Sequence, residues 1–522
     1  MLIARIVPLL ITAALQAPAP SGDAPPPAPE PAAAPAAPAE QPAPAPAVTP
    51  APAPVKPSGW TLELSTLKLL REKGVLSQEE LDSAVKDLTS STGYLAPDGT
   101  TLAAAKFALT VYGFAEMRVN WDSTQSFNEQ EANTLVARPG TFAGTHDRIQ
   151  FSARNSRLGF RLKAPEVAGI RASAVFEMDF LGTQLPVGAG QAYFGSESAY
   201  FTNPTFRARH LYLKVETPVV DLLAGQYWQL FGSQPFSQPN TTELQGMPAQ
   251  IYGRTPQVRI SKTLKTDPLN VELGVAMLRS PQRDSGTPDG QAGIRATLNK
   301  WVAWNTPSWT GSSAMPAGLG VSGALRSYRV SDFVEKPTSS QRVLGGGVAV
   351  DLLLPIIPGS KEKHGNALTL VAQYVWGTGL ADQYGGLTGG VSFPSLPNPT
   401  GATPAPAWPQ NVDNGLVALD ANGVPTTVQW SNAYANLQYY LPVFDGRIWL
   451  SGTYARLWSN NTARLAAAAK SRSSLDVVVV GLFADPLPSV RLGLEYVLSL
   501  DHYNDGVTAT NHRGTFSAAF VF

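Results

Sequence analysis

Apolar and polar residues alternate over long stretches of the chain beyond Ala108. From Val111 to Trp121 every second position is apolar or small, whereas the positions between them, from Tyr112 to Asn120, are aromatic or polar. The same alternation returns at 170–180 and 293–301. A period of two predicts β-strands with one apolar and one polar face. Such strands fit two architectures, a sandwich whose polar face meets water or a membrane barrel whose polar face lines a wet lumen.

The number and spacing of the strands favour the barrel. We count about sixteen strands, and an even number is typical of bacterial outer-membrane barrels. Long loops and short turns mostly alternate between the strands, as in such barrels, although the connections 302–318 and 354–366 are longer than short turns. We therefore predict an all-β fold, a transmembrane antiparallel β-barrel of about 16 strands over 108–522. The strands are predicted at 109–121, 148–163, 170–180, 206–216, 221–229, 257–265, 271–278, 293–301, 319–329, 342–353, 367–377, 430–441, 447–458, 475–484, 490–501 and 513–522.

Three segments precede the predicted barrel. A basic residue, Arg5, followed by apolar and then small residues predicts a secretory signal peptide at 1–17. Residues 18–57 are almost entirely Ala and Pro, which predicts a disordered, extended spacer. Residues 60–90 carry apolar side chains at helical spacing, which predicts a short helical hairpin or coiled-coil segment.

The predicted helical segment carries its own start and stop signals. Gly74 suits the C-terminal end of a first helix, and Ser77 with Glu80 three residues later forms a capping box for a second. Such a hairpin is too short to be stable alone. It is therefore expected to associate with copies of itself, with the barrel or with a cell-wall component such as peptidoglycan, or else to act as a solvated connector.

Composition excludes several classes of function. Only 15% of the 522 residues are charged, and 39 Lys and Arg balance 39 Asp and Glu, so no nucleic-acid partner is expected. There is no Cys, which excludes disulfides, Cys-ligated metals and a thiol nucleophile. The five His residues have no metal-ligand spacing, and no nucleophile elbow or phosphate loop is present. We therefore predict a protein that is not an enzyme and has no cofactor or metal.

Aromatic residues mark the ends of the predicted strands. Phe516, Ala518, Phe520 and the terminal Phe522 share one face of the last strand, a pattern that resembles the assembly signal of outer-membrane proteins. Tryptophans near strand ends fit the aromatic girdles of a membrane barrel, with ordinary core packing as the alternative. These tryptophans are Trp121, Trp228, Trp301, Trp376, Trp430, Trp449 and Trp458.

Charged residues at inward positions are the candidates for lining the pore. In the second strand the parity of the cations changes near 155–156, between Arg154 and Arg157, and a bulge there would keep both inward. Arg207 and Arg209 share parity with apolar residues, so they need their own bulge or lie above the membrane. Such residues either form opposed charge rows across a pore or merely brace its wall. The candidates are Arg154, Arg157, Arg161, Arg207, Arg209, Arg259, Arg295, Arg326, Glu116, Glu177 and Asp179.

Four stretches of the predicted barrel resemble the opening strands of DcaP-like trimeric porins. They are Val111 to Phe114, Phe151 to Phe160, Arg207 to Leu213 and Leu223 to Trp228. That family has a helical N-terminal segment ahead of its barrel, at the place of 60–90 in this chain. A narrower resemblance, to phosphate-selective porins, rests on the segment from Leu69 to Glu80. The resemblance implies a homotrimer surrounded by outer-membrane lipid.

Together these features predict an outer-membrane porin. The barrel would allow passive diffusion of small hydrophilic, anionic solutes, with the N-terminal segment in the periplasm and the loop 230–256 folded inward as a constriction. The alternative is a secreted β-rich adhesin or carbohydrate-binding protein, and a barrel-based hydrolase is a third candidate.

Overall fold

The structure is a computed structural model. It describes residues 67, 69–82, 94–95, 101–104, 107–129, 135–182, 202, 204–232, 236, 238–242, 246–307, 309, 311–387, 408–465 and 470–522. The predicted signal peptide and spacer lie outside the described residues.

Nearly all regular structure in the described residues is β-strand. None of the helical segments among them has the length and apolar character needed to span a membrane. The short helices are an α-helix at Phe142–Thr145 and 3-10 turns at Ala381–Gln383, Val443–Gly446 and Thr462–Arg464. The strands are β1 (Tyr94–Leu95), β2 (Thr101–Ala104), β3 (Phe107–Asp122), β4 (Arg148–Ser152), β5 (Arg157–Lys163), β6 (Arg171–Gly182), β7 (Thr205–Glu216), β8 (Asp221–Trp228), β9 (Arg254–Lys265), β10 (Leu269–Leu278), β11 (Asp289–Asn305), β12 (Ser313–Ser331), β13 (Ser340–Ile357), β14 (Leu368–Thr378), β15 (Val417–Leu419), β16 (Pro425–Thr427), β17 (Gln429–Tyr440), β18 (Ile448–Ser459), β19 (Arg472–Leu487), β20 (Val490–Tyr503) and β21 (Thr508–Val521).

Sixteen strands close into one antiparallel barrel, which confirms the predicted fold. β4 and β5 count as one strand because both pair with β3, and β15 and β16 form a separate small hairpin. β1 and β2 lie outside the ring and extend it only at the start of β3. β21 closes the ring on β3, from Arg513 opposite Asp122 to Val521 opposite Phe114. Closure pairs the backbone N–H and C=O groups along this seam. No sheet edge with unsatisfied hydrogen-bonding groups is therefore left there, which an apolar environment would disfavour.

The two ends of the barrel differ in their connections. The short connections 164–170, 217–220, 266–268 and 488–489 lie at the end where β3 begins and β21 finishes, which we name the turn end. The longer connections, such as 229–253, lie at the opposite end, which we name the loop end.

The two faces of the strands follow the predicted alternation. On β3, Glu116, Arg118 and Asn120 are buried inside the barrel, whereas Met117 and Trp121 on the other parity are each 44% exposed. Alternate positions on the other strands also expose large apolar side chains. A polar interior with an apolar exterior is the arrangement of a membrane barrel and the reverse of a soluble sandwich.

The bulge predicted near 155–156 is present, and so is a bulge at Arg209, one of the two alternatives for Arg207 and Arg209. Ser152 pairs with Arg118 and Arg157 pairs with Phe114, so the β4–β5 strand takes five steps where β3 takes four. Between β6 and β7, Glu177 pairs with His210 and Met178 with Ala208, which leaves Arg209 as the extra residue. One extra residue changes which alternate positions of the strand point inward. Cations on both sides of each bulge can therefore point into the barrel.

The predicted long turns 302–318 and 354–366 are shorter than expected, because β11, β12 and β13 continue past the predicted strand ends. The remaining connection, 306–312, folds into the barrel from the turn end. There Trp309 is fully buried against Phe483, with ring centroids 5.8 Å apart. The Trp309 carbonyl accepts a hydrogen bond from Arg491 Nη1 at 2.7 Å.

The helical segment has the predicted caps where it is described. Residues 69–72 and 78–82 are helical, and Gly74 lies between them with φ +69°. The Ser77 N–H donates to Glu80 Oε2 at 2.8 Å, and the Glu80 N–H donates to Ser77 Oγ at 3.2 Å. The hydrogen bonds from Ser77 lower the pKa of Glu80. This reciprocal pair is the predicted capping box.

The prediction that all seven tryptophans form membrane girdles is wrong for three of them. Trp228, Trp430 and Trp449 are buried inside the barrel, with 8%, 3% and 1% exposure. Tryptophan is accommodated at these buried positions because loops fold into the lumen and supply apolar side chains that pack against it. Trp121 and Trp376, by contrast, point outward and are exposed.

Candidate functional site: a cation-rich lumen

The described residues of the loop between β8 and β9, 229–232, 236, 238–242 and 246–253, lie inside the barrel. At one end, the Phe231 N–H donates to Gln291 Oε1 on β11 at 3.0 Å. In its middle, the Thr242 N–H donates to Glu495 Oε2 on β20 at 3.0 Å. The loop therefore crosses the lumen from one wall to the opposite one, as the sequence predicts. Its buried apolar residues include Phe231, Phe236, Met247, Ala249 and Ile251.

A second loop, 379–387 after β14, packs against the crossing loop. The Gly385 N–H donates to the Gln250 carbonyl at 2.7 Å, and the Tyr252 N–H donates to the Gln383 carbonyl at 2.8 Å. The two loops form a hydrophobic core with inward residues of the adjacent wall. That core includes Leu380, Tyr384, Val371, Val375, Leu457, Leu475, Val477, Val479 and Val497.

Three adjoining cavities follow the wall formed by β6 to β12. The loop-end cavity, of about 650 Å³, is bordered by Arg254 and other charged residues. The middle cavity, of about 200 Å³, shares Gln229 with it. The turn-end cavity, of about 620 Å³, shares Tyr227, Arg259 and Glu272 with the middle one. Shared lining residues place the cavities one after another from the loop end to the turn end, which makes this wall the candidate solute path.

Five of the predicted site residues form one ladder of charges on β5, β6 and β7. Arg157 Nε lies 3.6 Å from Glu177 Oε1, and Arg209 Nε donates to the same oxygen at 2.8 Å. Arg209 Nη1 also donates to Asp179 Oδ2 at 3.2 Å, and Arg207 Nε donates to Asp179 Oδ1 at 3.0 Å. Three guanidinium groups thus share two carboxylates, so most of their charge is compensated locally.

Two further predicted arginines are paired with acids across neighbouring strands. Arg295 forms an ion pair with Glu272. Arg326 is buried, lies 2.6 Å from Asp289 Oδ2 and also pairs with Asp382 on the second loop. These pairs fix the position of the loop and the walls, and they leave little net charge at either arginine.

Arg254 and Arg259 differ from the other inward arginines. Among the described residues, neither guanidinium has a carboxylate oxygen within 4.0 Å. The Arg254 guanidinium carbon lies 5.1 Å from the Trp228 ring centroid and 5.4 Å from that of Tyr252, and its Nη1 is buried without a hydrogen-bond partner. Arg259 Nε donates to Gln257 Oε1 at 3.1 Å, and its Nη2 donates to the Trp228 carbonyl. Aromatic faces and neutral oxygens orient both cations, so their charge is compensated less closely than that of the arginines paired with carboxylates.

Four of the predicted residues, Arg207, Arg259, Arg295 and Arg326, border the three cavities, and the other seven do not. Three of those seven also lie outside the charge ladder. Arg154 is buried and forms an ion pair with Glu129. Glu116 is also buried and lies 3.2 Å from Arg118 Nε. Arg161 is exposed near the turn end, 5.3 Å from the Tyr112 ring centroid. Arg154 and Glu116 are therefore held by ion pairs within the wall.

Sequence reasoning missed several residues that border the cavities. The predicted strand begins at 257 and so excludes Arg254, whereas β9 begins at Arg254. Arg171, Lys214 and Lys265 border the turn-end cavity and have inward parity on their strands. The alternation could have identified these three, since each continues the polar parity of its strand toward the turn end.

Comparison with known proteins supports the fold alone. No protein-family model matches this sequence. No curated protein matches it either.

Solved structures of outer-membrane proteins are similar to this chain. The outer membrane channel DcaP of Acinetobacter baumannii matches with a TM-score of 0.57 and 17% identity, over 83% of this chain and 100% of that chain. In vitro folded OmpT of Vibrio cholerae, in its trimer form, matches with a TM-score of 0.44 and 11% identity, over 80% and 99% of the two chains. OprB of Pseudomonas putida matches with a TM-score of 0.44 and 11% identity, over 79% and 94%. The match to the DcaP channel confirms, at the level of the fold, the resemblance seen in the sequence.

Proposed function

We propose that this protein is an outer-membrane porin for passive diffusion of small hydrophilic solutes. A closed barrel with an apolar exterior requires a lipid surrounding, and its polar cavities offer a path for hydrated solutes. The turn end and the N-terminal segment would face the periplasm, because short turns mark that side in bacterial barrels. The apolar exterior argues against a secreted adhesin or a soluble carbohydrate-binding protein.

The solutes are proposed to be anions. The observation that carries this proposal is that Arg254 and Arg259 border the cavities and, among the described residues, have no carboxylate oxygen within 4.0 Å. A low-dielectric barrel wall strengthens the field of such charges, so a few of them can raise the local anion concentration several-fold at low salt.

The remaining expectations concern assembly and partners. The resemblance to DcaP-like porins supports a homotrimer in outer-membrane lipid. The helical segment would then associate with copies of itself or with peptidoglycan in the periplasm. A diffusion channel needs no catalytic group or cofactor, and we expect none to act here.

The test is the reversal potential of the purified protein in a planar bilayer across a salt gradient. The parent should prefer anions at low salt. The double variant Arg254→Gln, Arg259→Gln should lower the anion-to-cation permeability ratio several-fold, because it removes two cavity cations that have no carboxylate oxygen within 4.0 Å among the described residues. High salt should weaken the preference in the parent, since the screening length falls to about 3 Å at 1 M.

The matched control is Arg456→Gln. Arg456 lies on the outer face of β18 with its side chain 51% exposed, so its removal should leave selectivity unchanged. A folded parent that conducts no ions would contradict the porin proposal itself. Conduction without ion preference, or a double variant as selective as the parent, would contradict the anion proposal.

A further inference from the structure

Two arginines face each other on the outer surface of the barrel near the loop end. Arg329 on β12 and Arg342 on β13 are directly opposite in register. Both have outward parity, because Tyr328 and Val330 beside Arg329 are buried, as is Ala349 on the inward parity of β13. Both arginines are exposed.

This pair has no acid to neutralise it. Among the described residues, no carboxylate oxygen lies within 4.0 Å of either guanidinium. Arg342 Nη1 donates only to the neutral Ser327 Oγ, at 3.0 Å. A Cβ placed on Gly286 would lie 2.7 Å from Arg329 Nη2 and 3.8 Å from Arg342 Nη2, so the two groups converge on one spot. Like charges directly opposite on a sheet are unfavourable, and an external anion between them would remove the repulsion.

The surface below the pair is apolar. The outward positions of β13 from Leu344 to Ile356 are Leu, Gly, Val, Val, Leu, Leu and Ile. At a rise of roughly 3.3 Å per residue and a tilt of about 40°, they span roughly 30 Å, close to the apolar band of about 25 Å in outer-membrane barrels. Leu325 and Leu344, next below the arginines, are each 74% exposed. The pair therefore lies at the edge of the lipid-facing apolar band that is nearer the loop end.

We propose that Arg329 and Arg342 bind a phosphate group of an outer-leaflet lipid whose acyl chains lie against Leu325 and Leu344. The ligand must carry both an anion and apolar chains, because the cations and the apolar band are contiguous. Arg fits this role, since its planar guanidinium bonds phosphate oxygens in pairs. The inference rests on the proposed outer-membrane location but not on conduction.

Arg456, another arginine on the outer surface, helps to identify the class of ligand by comparison. Arg456 Nη1 lies 3.8 Å from Asp476 Oδ1, so its charge already has a partner on the neighbouring strand. The Arg329–Arg342 pair, unlike Arg456, has no carboxylate partner among the described residues. A partner with negative charge is therefore expected, which favours an anionic lipid over a second copy of this chain, whose net charge is zero.

Binding is measured on folded protein in detergent with three probes. They are lipid A carrying two phosphates, the same lipid without phosphates, and inorganic phosphate. The parent should bind the phosphorylated lipid roughly tenfold more tightly than the phosphate-free lipid. The double variant Arg329→Gln, Arg342→Gln should lose this difference, whereas Arg456→Gln should keep it. Should the double variant fail to fold, the two single variants carry the test, each with a partial loss.

Several results would overturn the inference. Equal binding of both lipids, or an unchanged preference in the double variant, would exclude a phosphate site. Binding of inorganic phosphate as tight as that of the lipid would indicate a free-ion site. A change of oligomeric state in the double variant without a change in lipid binding would indicate a subunit interface. Bilayer conductance of the double variant should equal that of the parent, so failure here is separable from failure of the porin proposal.

Discussion

Arginine side chains in the lumen differ in what compensates their charge. Arg209 and Arg326 are buried and held by carboxylates, so they position strands and loops. Arg254 lies against aromatic rings, and Arg259 donates to neutral oxygens. A solute passing through the cavities would meet the field of the second group more strongly, because paired charges cancel within a few ångströms.

Replacing Arg157 and Arg161 tests this distinction. The double variant Arg157→Ala, Arg161→Ala should shift the reversal potential less than Arg254→Gln, Arg259→Gln, because Arg157 is paired with Glu177 and Arg161 lies away from the three cavities. The measurement is the reversal potential across the same salt gradient for both variants. Equal shifts would show that total lumen charge, and not unpaired charge, sets the ion preference.

The sequence predicted several of the inward arginines but could not predict which of them are paired. Parity along a strand places Arg295 and Arg259 on the inner face from local residues alone. Whether an acid reaches them depends on register between strands and on loops distant in sequence. Asp382, which neutralises Arg326, lies on a loop 56 residues away.

Loops that enter the barrel change which residue types occupy the inward positions of the surrounding strands. Inward positions of β14, β18 and β19 carry apolar residues such as Val375 and Val477, because they pack on the crossing loop. Gly347 follows the same logic, since a Cβ there would lie 2.9 Å from Leu380 of the second loop. The alternation of polar and apolar residues therefore predicted the strands correctly but misplaced tryptophans such as Trp449, whose partners come from distant segments.

Glu495 anchors the middle of the crossing loop. It accepts hydrogen bonds from Thr241 Oγ1 at 3.0 Å and from the Thr242 N–H and Oγ1 at 3.0 and 2.8 Å. Glu495→Ala should remove about 3 kcal/mol of docking free energy from the loop, since three bonds to a carboxylate are lost. Single-channel recordings should then give a larger and noisier conductance than the parent.

The control for this anchor is Thr515→Ala on the neighbouring strand. Thr515 also points inward but bonds Asn120 of the wall and not the loop. A conductance change of equal size in both variants would mean that general loosening of the wall, and not release of the loop, is responsible.

The closed ring of sixteen strands carries a small addition at the turn end. β1 with β2 adds a short ladder to the start of β3, and residues 69–72 and 78–82, earlier in the chain, are helical. Closure at the seam needs none of these segments, because β3 and β21 pair directly. The sequence predicted the ring from its even strand count, but β1 and β2 are too short for alternation to reveal them.

Removal of 18–88 should leave a folded barrel. Among the described residues, every strand of the ring lies at or after Phe107, so the deletion should still give a band that shifts on heating in electrophoresis. A longer deletion, 18–106, also removes β2 and its four pairings with 107–110. It should lower the unfolding free energy by about 2 to 4 kcal/mol, one typical hydrogen bond for each lost pairing. Loss of all folded protein in the shorter deletion, with normal export, would contradict this division of the chain.

The terminal Phe522 completes the seam and allows assembly to be separated from stability. Its N–H donates to the Gly113 carbonyl at 3.0 Å, and its carbonyl accepts from the Gly113 N–H at 2.9 Å. Its side chain is 43% exposed on the outer face, so it adds little packing inside the barrel. Deleting Phe522 should cost about 1 to 2 kcal/mol, a small part of a ladder that joins sixteen strands. Refolding in detergent should therefore survive.

Membrane insertion in cells should fall far more, because the terminal aromatic residue resembles the signal that directs outer-membrane proteins to assembly. Phe522→Ala keeps the backbone bonds to Gly113 and removes only the ring, so it should refold like the parent and still insert poorly. Phe520→Ala removes a ring on the same face, 54% exposed, without altering the terminus, and should insert normally. The measurements are refolding yield in detergent and the amount of heat-modifiable barrel in isolated outer membranes. Equal losses in both assays for Phe522→Ala would mean that the ring acts through stability alone.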